Sequence, residues 1–185
     1  QDLGPREHIE TTSDAVANML AQSQNVIIVP GYGMAVARAQ YAVGSIAQQL
    51  VDKGINVKFG IHPVAGRMPG QMNVLLAEAG TPYEWVHEME EVNPDMESMD
   101  VCLVVGANDI TNSSAKDIEG CPIYGMPVVE VWNAKTCVYL KRSMAGGYAD
   151  LDNPVFYKEN TNMLLGDAKD TCEAISAKLK EALTQ

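Results

Sequence analysis

The chain has 185 residues, a length that fits one domain with a sizeable hydrophobic core. Its 24 acidic and 13 basic residues give a net charge of −11, which argues against nucleic acid or an anionic membrane as a partner of the whole surface. The four cysteines lack the C-x-x-C spacing of zinc or redox sites, so we expect reduced thiols, a reducing compartment and no metal site. They are Cys102, Cys121, Cys137 and Cys172.

The first twelve residues are polar and lack the basic and apolar regions of a signal peptide. We therefore interpret residues 1–12 as a linker from a preceding segment and residues 13–185 as one domain. Thr12 or Ser13 is a candidate cap for a first helix. No apolar run approaches the length of a membrane span.

A buried strand at residues 26–29 leads into a glycine loop and then a helix. Gly31 and Gly33 permit a tight turn and a close backbone approach, and the first N–H groups of a helix attract anions, so this stretch is a candidate pyrophosphate site. The third position of the motif is Val36 rather than Gly, and an ordinary strand-to-helix turn explains the residues equally well. The apolar spacing predicts one crossover helix that ends at Lys53.

The second predicted strand, at residues 56–61, precedes a loop rich in Pro and Gly. Dinucleotide-binding proteins that take the non-phosphorylated cofactor usually carry Asp or Glu near the end of this strand, and no acidic residue stands between Lys53 and Arg67. With Lys58, His62 and Arg67 nearby, this absence favours the 2′-phosphorylated cofactor. Arg67 is equally explained as a residue that pins its own loop.

Polar residues follow the strand predicted at residues 101–105. Asn108 and Asp109 come after Gly106, at the edge of a parallel sheet where ligands of α/β proteins bind. Asp109 is either a site residue or, with Asn108, a cap of the following turn. The acidic residues between positions 88 and 97 have no His partners at ligand spacing, so we interpret them as a solvated face.

Two further strands are predicted at residues 126–132 and 136–140, and we expect them to form a hairpin. Lys141, Arg142 and Ser143 follow directly and form a candidate phosphate clamp, with surface solubility as the alternative.

A last strand at residues 162–165, a Gly166-Asp167 turn and a C-terminal helix complete the pattern. Strands and helices alternate throughout, which predicts an α/β fold. We expect a single Rossmann-like, open, mostly parallel twisted sheet of about six strands with helices on both faces.

Six motifs in this order resemble the NADP(H)-binding component (domain III) of proton-translocating nicotinamide nucleotide transhydrogenases. They are residues 30–37, 59–70, 106–109, 141–144, 147–149 and 166–169. The resemblance implies that NADP(H) binds here and exchanges hydride directly with NAD(H) on a partner domain. It also implies coupling to proton movement through a membrane domain, from which residues 1–12 would be the linker. The chain would then be the soluble part of an inner-membrane enzyme, facing the mitochondrial matrix or the bacterial cytoplasm.

The resemblance also implies the site residues. Asp109 couples nucleotide state to protonation rather than acting as an acid or base in hydride transfer, and Tyr32 lies beside the nicotinamide. Because the family binds its nucleotide in reversed orientation, the 2′-phosphate is expected at Lys141, Arg142 and Ser143 rather than near Lys58 and Arg67. The implied cofactor-binding residues are Gly31, Tyr32, Gly33, Ala35 and Val36 in the glycine loop; His62, Val64, Ala65, Gly66 and Arg67 after the second strand; Gly106, Asn108 and Asp109; Lys141, Arg142 and Ser143; Gly147, Tyr148 and Ala149 in a loop over the cofactor; and Gly166, Asp167 and Ala168.

The main alternative is a non-catalytic NADP(H)-binding module that senses or stores the nucleotide. A self-contained reductase would need a substrate pocket with its own proton donor, which a chain of this length without a second domain does not favour. The middle domain of a thiamine-diphosphate enzyme shares the general architecture, but it would not carry the Lys141-Arg142-Ser143 clamp.

Overall fold

The computed structural model describes residues 7–144 and 152–184, which form one open sheet with seven strands. The strand order is β1-β7-β6-β5-β2-β3-β4, and every neighbouring pair is parallel. The strands are β1 (Ile9–Glu10), β2 (Asn25–Pro30), β3 (Asn56–Ile61), β4 (Val86–Glu88), β5 (Val101–Val105), β6 (Thr136–Lys141) and β7 (Thr161–Leu165). The predicted α/β class with a single mostly parallel sheet is confirmed, with one strand more than expected.

Seven α-helices connect and cover these strands within the described residues. They are α1 (Ser13–Ala21), α2 (Tyr32–Ala37), α3 (Gln40–Asp52), α4 (Gln71–Glu78), α5 (Met89–Val92), α6 (Ser114–Asp117) and α7 (Ala168–Leu183). Short 3-10 turns lie at Tyr83–Trp85, Asn93–Ser98, Asp109–Thr111, Val131–Asn133 and Pro154–Tyr157. The hydroxyl of Thr12 caps α1 by accepting a hydrogen bond from the Ala15 amide at 3.1 Å, so one of the two predicted caps is confirmed.

The sheet separates two hydrophobic cores, because successive residues of a strand point to opposite faces. In β5, Val101, Leu103 and Val105 face the core that α1, α3, α4 and α7 cover. Cys102 and Val104 face the second core, which α5 and the irregular segments around it close. Three of the four free cysteines in the described residues, Cys102, Cys137 and Cys172, are buried within these cores. Cys121 is partly exposed. None of the described helices combines the length and the apolar character needed to cross a bilayer.

The predicted hairpin before β6 is wrong. Residues 126–130 form neither helix nor strand, Val131–Asn133 is a 3-10 turn, and β6 lies parallel to β5. The apolar residues of this segment resemble a strand because they are buried, but Val129 and Val131 pack over the second face of the sheet instead of pairing with a neighbour.

The single crossover helix predicted after the glycine loop is also wrong, since the chain forms α2 and α3 with a break at Arg38. Arg38 has φ of 57°, the only left-handed backbone among the non-glycine residues described. The amides of Arg38 and Ala39 donate to the carbonyl oxygens of Ala35 and Met34, which closes α2 before α3 begins. No glycine marks this break in the sequence.

The connections place a crevice at the carboxyl ends of β2 and β5. From β2 the chain builds outward through β3 and β4, and it then returns to form β5, β6 and β7 on the other side of β2. The strand order reverses between β2 and β5, and ligands of open α/β sheets bind at such switch points. At the far edge, Ile9 and Glu10, which lie in the predicted linker, form β1 against β7.

Candidate functional site

A cleft of about 820 Å³ lies at the carboxyl ends of β2, β5, β6 and β7. Its volume falls within the range of roughly 300–1,000 Å³ that is typical of small-molecule and cofactor sites. The predicted site residues that line it are Gly31, Tyr32, Gly33, Val36, Val64, Ala65, Gly66, Gly106, Asn108, Asp109, Lys141, Arg142, Gly166, Asp167 and Ala168. The topology thus brings together residues from five widely separated parts of the sequence.

The floor of the cleft is backbone, because two glycine turns pack against each other. The amide of Gly31 donates to the Val105 carbonyl at 2.9 Å, and the amide of Gly33 donates to the Gly106 carbonyl at 2.8 Å. A Cβ on Gly31 would lie 2.5 Å from the Gly106 carbonyl oxygen. The close approach that these glycines permit is therefore first of all to the turn after β5, and their amides are already satisfied there.

One rim of the cleft is cationic. The Lys141 ammonium lies 5.2 Å from the centre of the Phe156 ring. Burial lowers the pKa of Lys141, and the negative charge of Asp109 opposes that effect. Lys141 therefore feels the negative charge of Asp109 and lies near the aromatic face of Phe156.

The second cation of this rim is solvated and has an anionic partner. Arg142 donates to the Asp167 carboxylate at 3.1 Å, and 82% of the Arg142 side chain is exposed. Asp167 also caps α7 by accepting from the Asp170 amide at 3.1 Å. The hydrogen bond from Asp170, and after it the one from Arg142, hold the pKa of Asp167 below its usual range.

The opposite rim is formed by the glycine loop and the loop after β3. The Arg67 guanidinium lies 4.8 Å from the centre of the Tyr32 ring, a cation–π distance. The Arg67 amide donates to the Gln71 side chain at 2.7 Å, which holds the loop in place. Val36 and Val64 line this rim and are 66% and 63% exposed, so the mouth of the cleft carries apolar surface.

Hydrogen bonds from Thr111 and Asn153 hold the turn after β5 in place. The Thr111 hydroxyl donates to the Asn108 carbonyl at 2.8 Å, and the Asn153 side chain donates to Asn108 Oδ1 at 3.1 Å. The side chain of Asn108, the N-cap residue of the 3-10 turn Asp109–Thr111, makes no capping hydrogen bond to that turn. Asn108 and Asp109 both line the cleft.

Some predicted residues do not line the cleft directly, and others lie outside the described parts of the chain. His62 is buried, and its ring nitrogens contact the Pro127 carbonyl at 2.6 Å and the Val64 amide at 3.1 Å. Lys58 pairs with Asp95 at 3.6 Å. The predicted residues that do not line the cleft are Ala35, His62, Arg67 and Ser143. Gly147, Tyr148 and Ala149 lie outside the described residues.

The structure also adds cleft residues that the sequence analysis did not select. They are Ala37, Ala107, Ile110, Leu140 and Lys169. Ala37, Ala107 and Lys169 stand inside motifs already recognised, so their neighbours gave a usable signal. Leu140 and Ile110 are apolar residues beside strand ends, which no sequence pattern separates from the core.

Acidic residues between positions 88 and 97 cap a helix and form an ion pair. Glu88 and Glu91 form a reciprocal cap on α5, and Asp95 pairs with Lys58. Within residues 7–144 and 152–184, no group of three or more His, Cys, Asp or Glu side chains is arranged to hold a metal ion.

A ligand cleft at the switch point of a parallel α/β sheet, with a glycine turn on its floor and cations on its rim, defines a nucleotide-binding domain of the dinucleotide-fold class. Comparison with known families then makes the assignment specific. The model of the PNTB family, NAD(P) transhydrogenase beta subunit, matches residues 1–178, and this chain belongs to that family.

The relatives found by sequence agree with this assignment. The chain is 51% identical over 172 residues to NAD(P) transhydrogenase subunit beta of Rhodospirillum rubrum. The match covers 93% of this chain and 37% of that protein, so the chain spans little more than a third of its relative.

Similar solved structures share the fold at low identity. A Sir2 homologue in complex with NAD superposes with a TM-score of 0.58 and 10% identity, covering 96% of this chain and 97% of that one. A proposed thiamin diphosphate-dependent enzyme from Mycobacterium smegmatis has a TM-score of 0.53 and 13% identity, covering 90% of this chain and 27% of that one. These similarities concern the fold alone.

Proposed function

We propose that this chain is the NADP(H)-binding component of a proton-translocating transhydrogenase. In this proposal hydride passes directly between NAD(H) on a partner domain and NADP(H) in the cleft. Nucleotide binding and release are coupled to proton movement through a membrane domain, with the cleft facing the mitochondrial matrix or bacterial cytoplasm. Residues 1–12 lead from the membrane domain into the domain at 13–185, with Ile9 and Glu10 already paired with its sheet. Membership of the transhydrogenase beta subunit family supports the proposal that the chain is a component of such an enzyme. The cleft supports the proposal that this component binds a nucleotide.

The single observation that carries the choice of NADP(H) is the pair of cations at the end of β6. Lys141 and Arg142 both line the cleft, and an ammonium together with a guanidinium is a set of donors that suits a phosphate monoester. The exposed ion pair between Arg142 and Asp167 contributes little stability, so a doubly charged 2′-phosphate can take Asp167's place on Arg142. These residues therefore fit the 2′-phosphate.

The end of β3 supports the same choice. The strand ends at Ile61, and the next side chain, His62, is buried and bonded to the Pro127 carbonyl. An NAD-binding site of the usual kind would present a carboxylate there to the ribose hydroxyls. This chain has no carboxylate at that position, which supports a preference for NADP(H) over NAD(H) together with the basic rim at β6.

In this proposal the chain catalyses by positioning. The nicotinamide of the bound nucleotide supplies the hydride chemistry, which needs two rings in contact and little water rather than a side-chain acid or base. Tyr32, held by Arg67, forms one wall of the cleft. The exposed apolar side chains of Val36 and Val64 offer a partner domain a surface that excludes water when covered.

We assign the coupling role to Asp109. Its negative charge acts on Lys141, so protonation of Asp109 changes the electrostatics of the 2′-phosphate clamp. The turn that carries Asp109 also packs on the glycine loop through Gly106 and Gly33. In this proposal, a change in the charge of Asp109 alters how tightly NADP(H) is held.

The first experiment identifies any nucleotide released on denaturation of the purified protein and then titrates NADPH and NADH by fluorescence. We expect a strong preference for NADPH, which Lys141→Gln and Arg142→Gln each reduce by roughly 10- to 100-fold, the effect of one charged hydrogen bond. NADH affinity should stay unchanged in both variants. Lys178→Gln is the charge-matched control, since Lys178 pairs with Asp14 away from the cleft.

Equal affinity for the two nucleotides in the unmodified protein would remove the phosphate clamp and the functional assignment with it. Hydride exchange is then measured after addition of the NAD(H)-binding domain. Exchange supports the transhydrogenase component, whereas tight NADP(H) binding without exchange supports the non-catalytic module.

A further inference from the structure

A fully buried asparagine supports the cleft from behind. Asn153 has no exposed surface, and its Nδ2 donates to Asn108 Oδ1 at 3.1 Å and more weakly to the Asn108 carbonyl at 3.4 Å. Its own Oδ1 accepts from the Val155 amide at 3.1 Å, at the start of the 3-10 turn Pro154–Tyr157. Both ends of the Asn153 amide are therefore engaged.

These bonds determine which way round each amide lies. The Val155 N–H can only donate, so Asn153 must turn its oxygen toward Val155 and its nitrogen toward Asn108. Asn108 must then present Oδ1 to Asn153, which leaves its Nδ2 on the other side. That nitrogen is buried and has no hydrogen-bond partner within residues 7–144 and 152–184, and Asn108 lines the cleft.

We propose that Asn153 is a positioning residue that makes Asn108 present a hydrogen-bond donor, rather than an acceptor, to the bound nucleotide. A buried amide N–H without an acceptor is unfavourable, and an acceptor oxygen of the dinucleotide satisfies it. Asn153 itself does not line the cleft and acts only through Asn108. This inference rests on the proposed function, because it takes NADP(H) as the molecule that Asn108 meets.

A second buried asparagine provides a matched comparison. Asn112 donates from Nδ2 to the Asp152 carbonyl at 3.0 Å and accepts at Oδ1 from the Ser114 amide at 2.9 Å. It ties the same two segments together, but through the backbone of Asp152 and not through the side chain of Asn108. Asn112 has the same burial as Asn153 and lies close to it in the fold.

The test uses Asn153→Asp in the 185-residue chain. The aspartate keeps an oxygen for the Val155 amide, but its second oxygen cannot donate to Asn108, so the Asn108 amide turns over and presents its oxygen to the cleft. We expect NADP⁺ affinity at neutral pH to fall by about tenfold or more. We expect affinity to recover as the pH falls, because burial raises the pKa of a carboxyl and the protonated group donates again.

Two comparisons separate this role from a general loss of structure. Asn112→Asp places a carboxylate in the same buried region and should leave NADP⁺ affinity and its pH dependence close to those of the unmodified protein. In an Asn108→Ala background, Asn153→Asp should change affinity by less than about twofold while its decrease in Tm persists. Equal affinity losses in both backgrounds would overturn the proposal.

A measurement on the unmodified protein covers the case in which Asn153→Asp does not fold. With ¹⁵N-labelled asparagine, NADP⁺ should shift the side-chain NH₂ signals of Asn108 and leave those of Asn153 protected from exchange in both states. If the side-chain NH₂ signals of Asn108 do not shift when NADP⁺ is added, the inference is overturned. Failure of the unmodified protein to bind NADP⁺ would remove the proposed function too, whereas normal binding with no effect of Asn153→Asp removes this inference alone.

Discussion

The backbone amide of Gly33 donates a 2.8 Å hydrogen bond to the carbonyl oxygen of Gly106, and this bond joins the turn after β2 to the turn after β5. A Cβ on Gly33 would lie 2.7 Å from the Gly106 Cα, closer than real Cβ contacts allow. Gly106 has φ of +72°, a left-handed conformation that L side chains disfavour. The floor of the cleft therefore requires glycine at both positions.

Gly106→Ala should lower the free energy of unfolding by roughly 2–4 kcal/mol, because a strained φ adds to a backbone overlap that only a shift of the glycine loop relieves. NADPH binding should be lost with it. Urea unfolding and nucleotide titration measure the two effects. The control is Gly54→Ala, since Gly54 has φ of +83° but open space around its Cβ, and we expect a loss of about 1 kcal/mol. Equal losses at the two positions would contradict a packing role for Gly106.

Tyr139→Phe tests the support beneath Asn108. The Tyr139 hydroxyl donates to Thr111 Oγ1 at 2.7 Å, and the Thr111 hydroxyl in turn donates to the Asn108 carbonyl at 2.8 Å. Removing a buried donor should lower the free energy of unfolding by about 1–2 kcal/mol and weaken NADPH binding modestly. Thermal and urea unfolding provide the measurement. The control is Tyr41→Phe, which should leave stability unchanged because Tyr41 is 59% exposed. If Tyr139→Phe also leaves stability unchanged, the hydrogen bonds of Tyr139 and Thr111 do not hold the Asn108 turn in place.

The strands in the middle of the sheet were predictable because both of their faces are buried. β2 and β5 are continuous apolar runs between turn residues, the usual pattern of buried parallel strands. β1 could not be predicted, since two residues become a strand only by pairing with β7. The strand predicted at residues 126–132 is not formed. The apolar side chains there are buried because they cover a face of the sheet, but their backbone pairs with no strand.

The cleft was predictable where it follows strand ends and unpredictable where it depends on distant packing. Lys141 is the last residue of β6, Asn108 follows soon after β5 ends, and the carboxyl ends of parallel strands converge. Asn153 lies 45 residues from Asn108 in the sequence, and a hydrogen bond over that separation leaves no periodic signal. The break at Arg38 was hidden because the left-handed residue is not glycine.

His62 makes the stability of the protein depend on pH. The Pro127 carbonyl can only accept, so His62 Nε2 carries the proton, and the Val64 amide can only donate, so Nδ1 is bare and the ring is neutral. Burial lowers the pKa of His62 below its ordinary value of 6.5, which the hydrogen bond to Pro127 only partly offsets. The unfolded chain therefore binds the proton more readily, and stability present above about pH 6.5 is lost as the pH falls.

The measurement is urea unfolding of the unmodified protein and of His62→Gln between about pH 7.5 and pH 5, a range that contains the histidine transition and few carboxyl ones. Glutamine can donate to Pro127 without titrating, so the variant should lose less stability on acidification, although it starts from a lower value. His8→Gln is the control, because His8 contacts only the exposed Glu10 among the side chains described around it. If the His62→Gln protein and the unmodified protein lose stability in parallel, His62 is not the group that titrates.

Asp109→Asn tests whether the turn after β5 reaches the phosphate clamp electrostatically. Burial lowers the pKa of Lys141, and the negative charge of Asp109 counteracts this effect. The amide has no charge, so the pKa of Lys141 should fall further, and NADPH affinity should begin to weaken at a lower pH on the alkaline side. The fold should remain intact, because asparagine has the same shape.

The pKa of Lys141 is measured by NMR of ¹³C-labelled lysine, alongside NADPH titrations between about pH 7 and pH 10. Asp95→Asn removes an equal charge beside Lys58, 3.6 Å away, and should leave both curves unchanged. A lower pKa of Lys141 with unaltered NADPH affinity would mean that Arg142 alone holds the 2′-phosphate. If the Lys141 pKa and the pH dependence of affinity both match the unmodified protein, the charge of Asp109 does not reach the clamp, and the coupling role assigned to it is wrong.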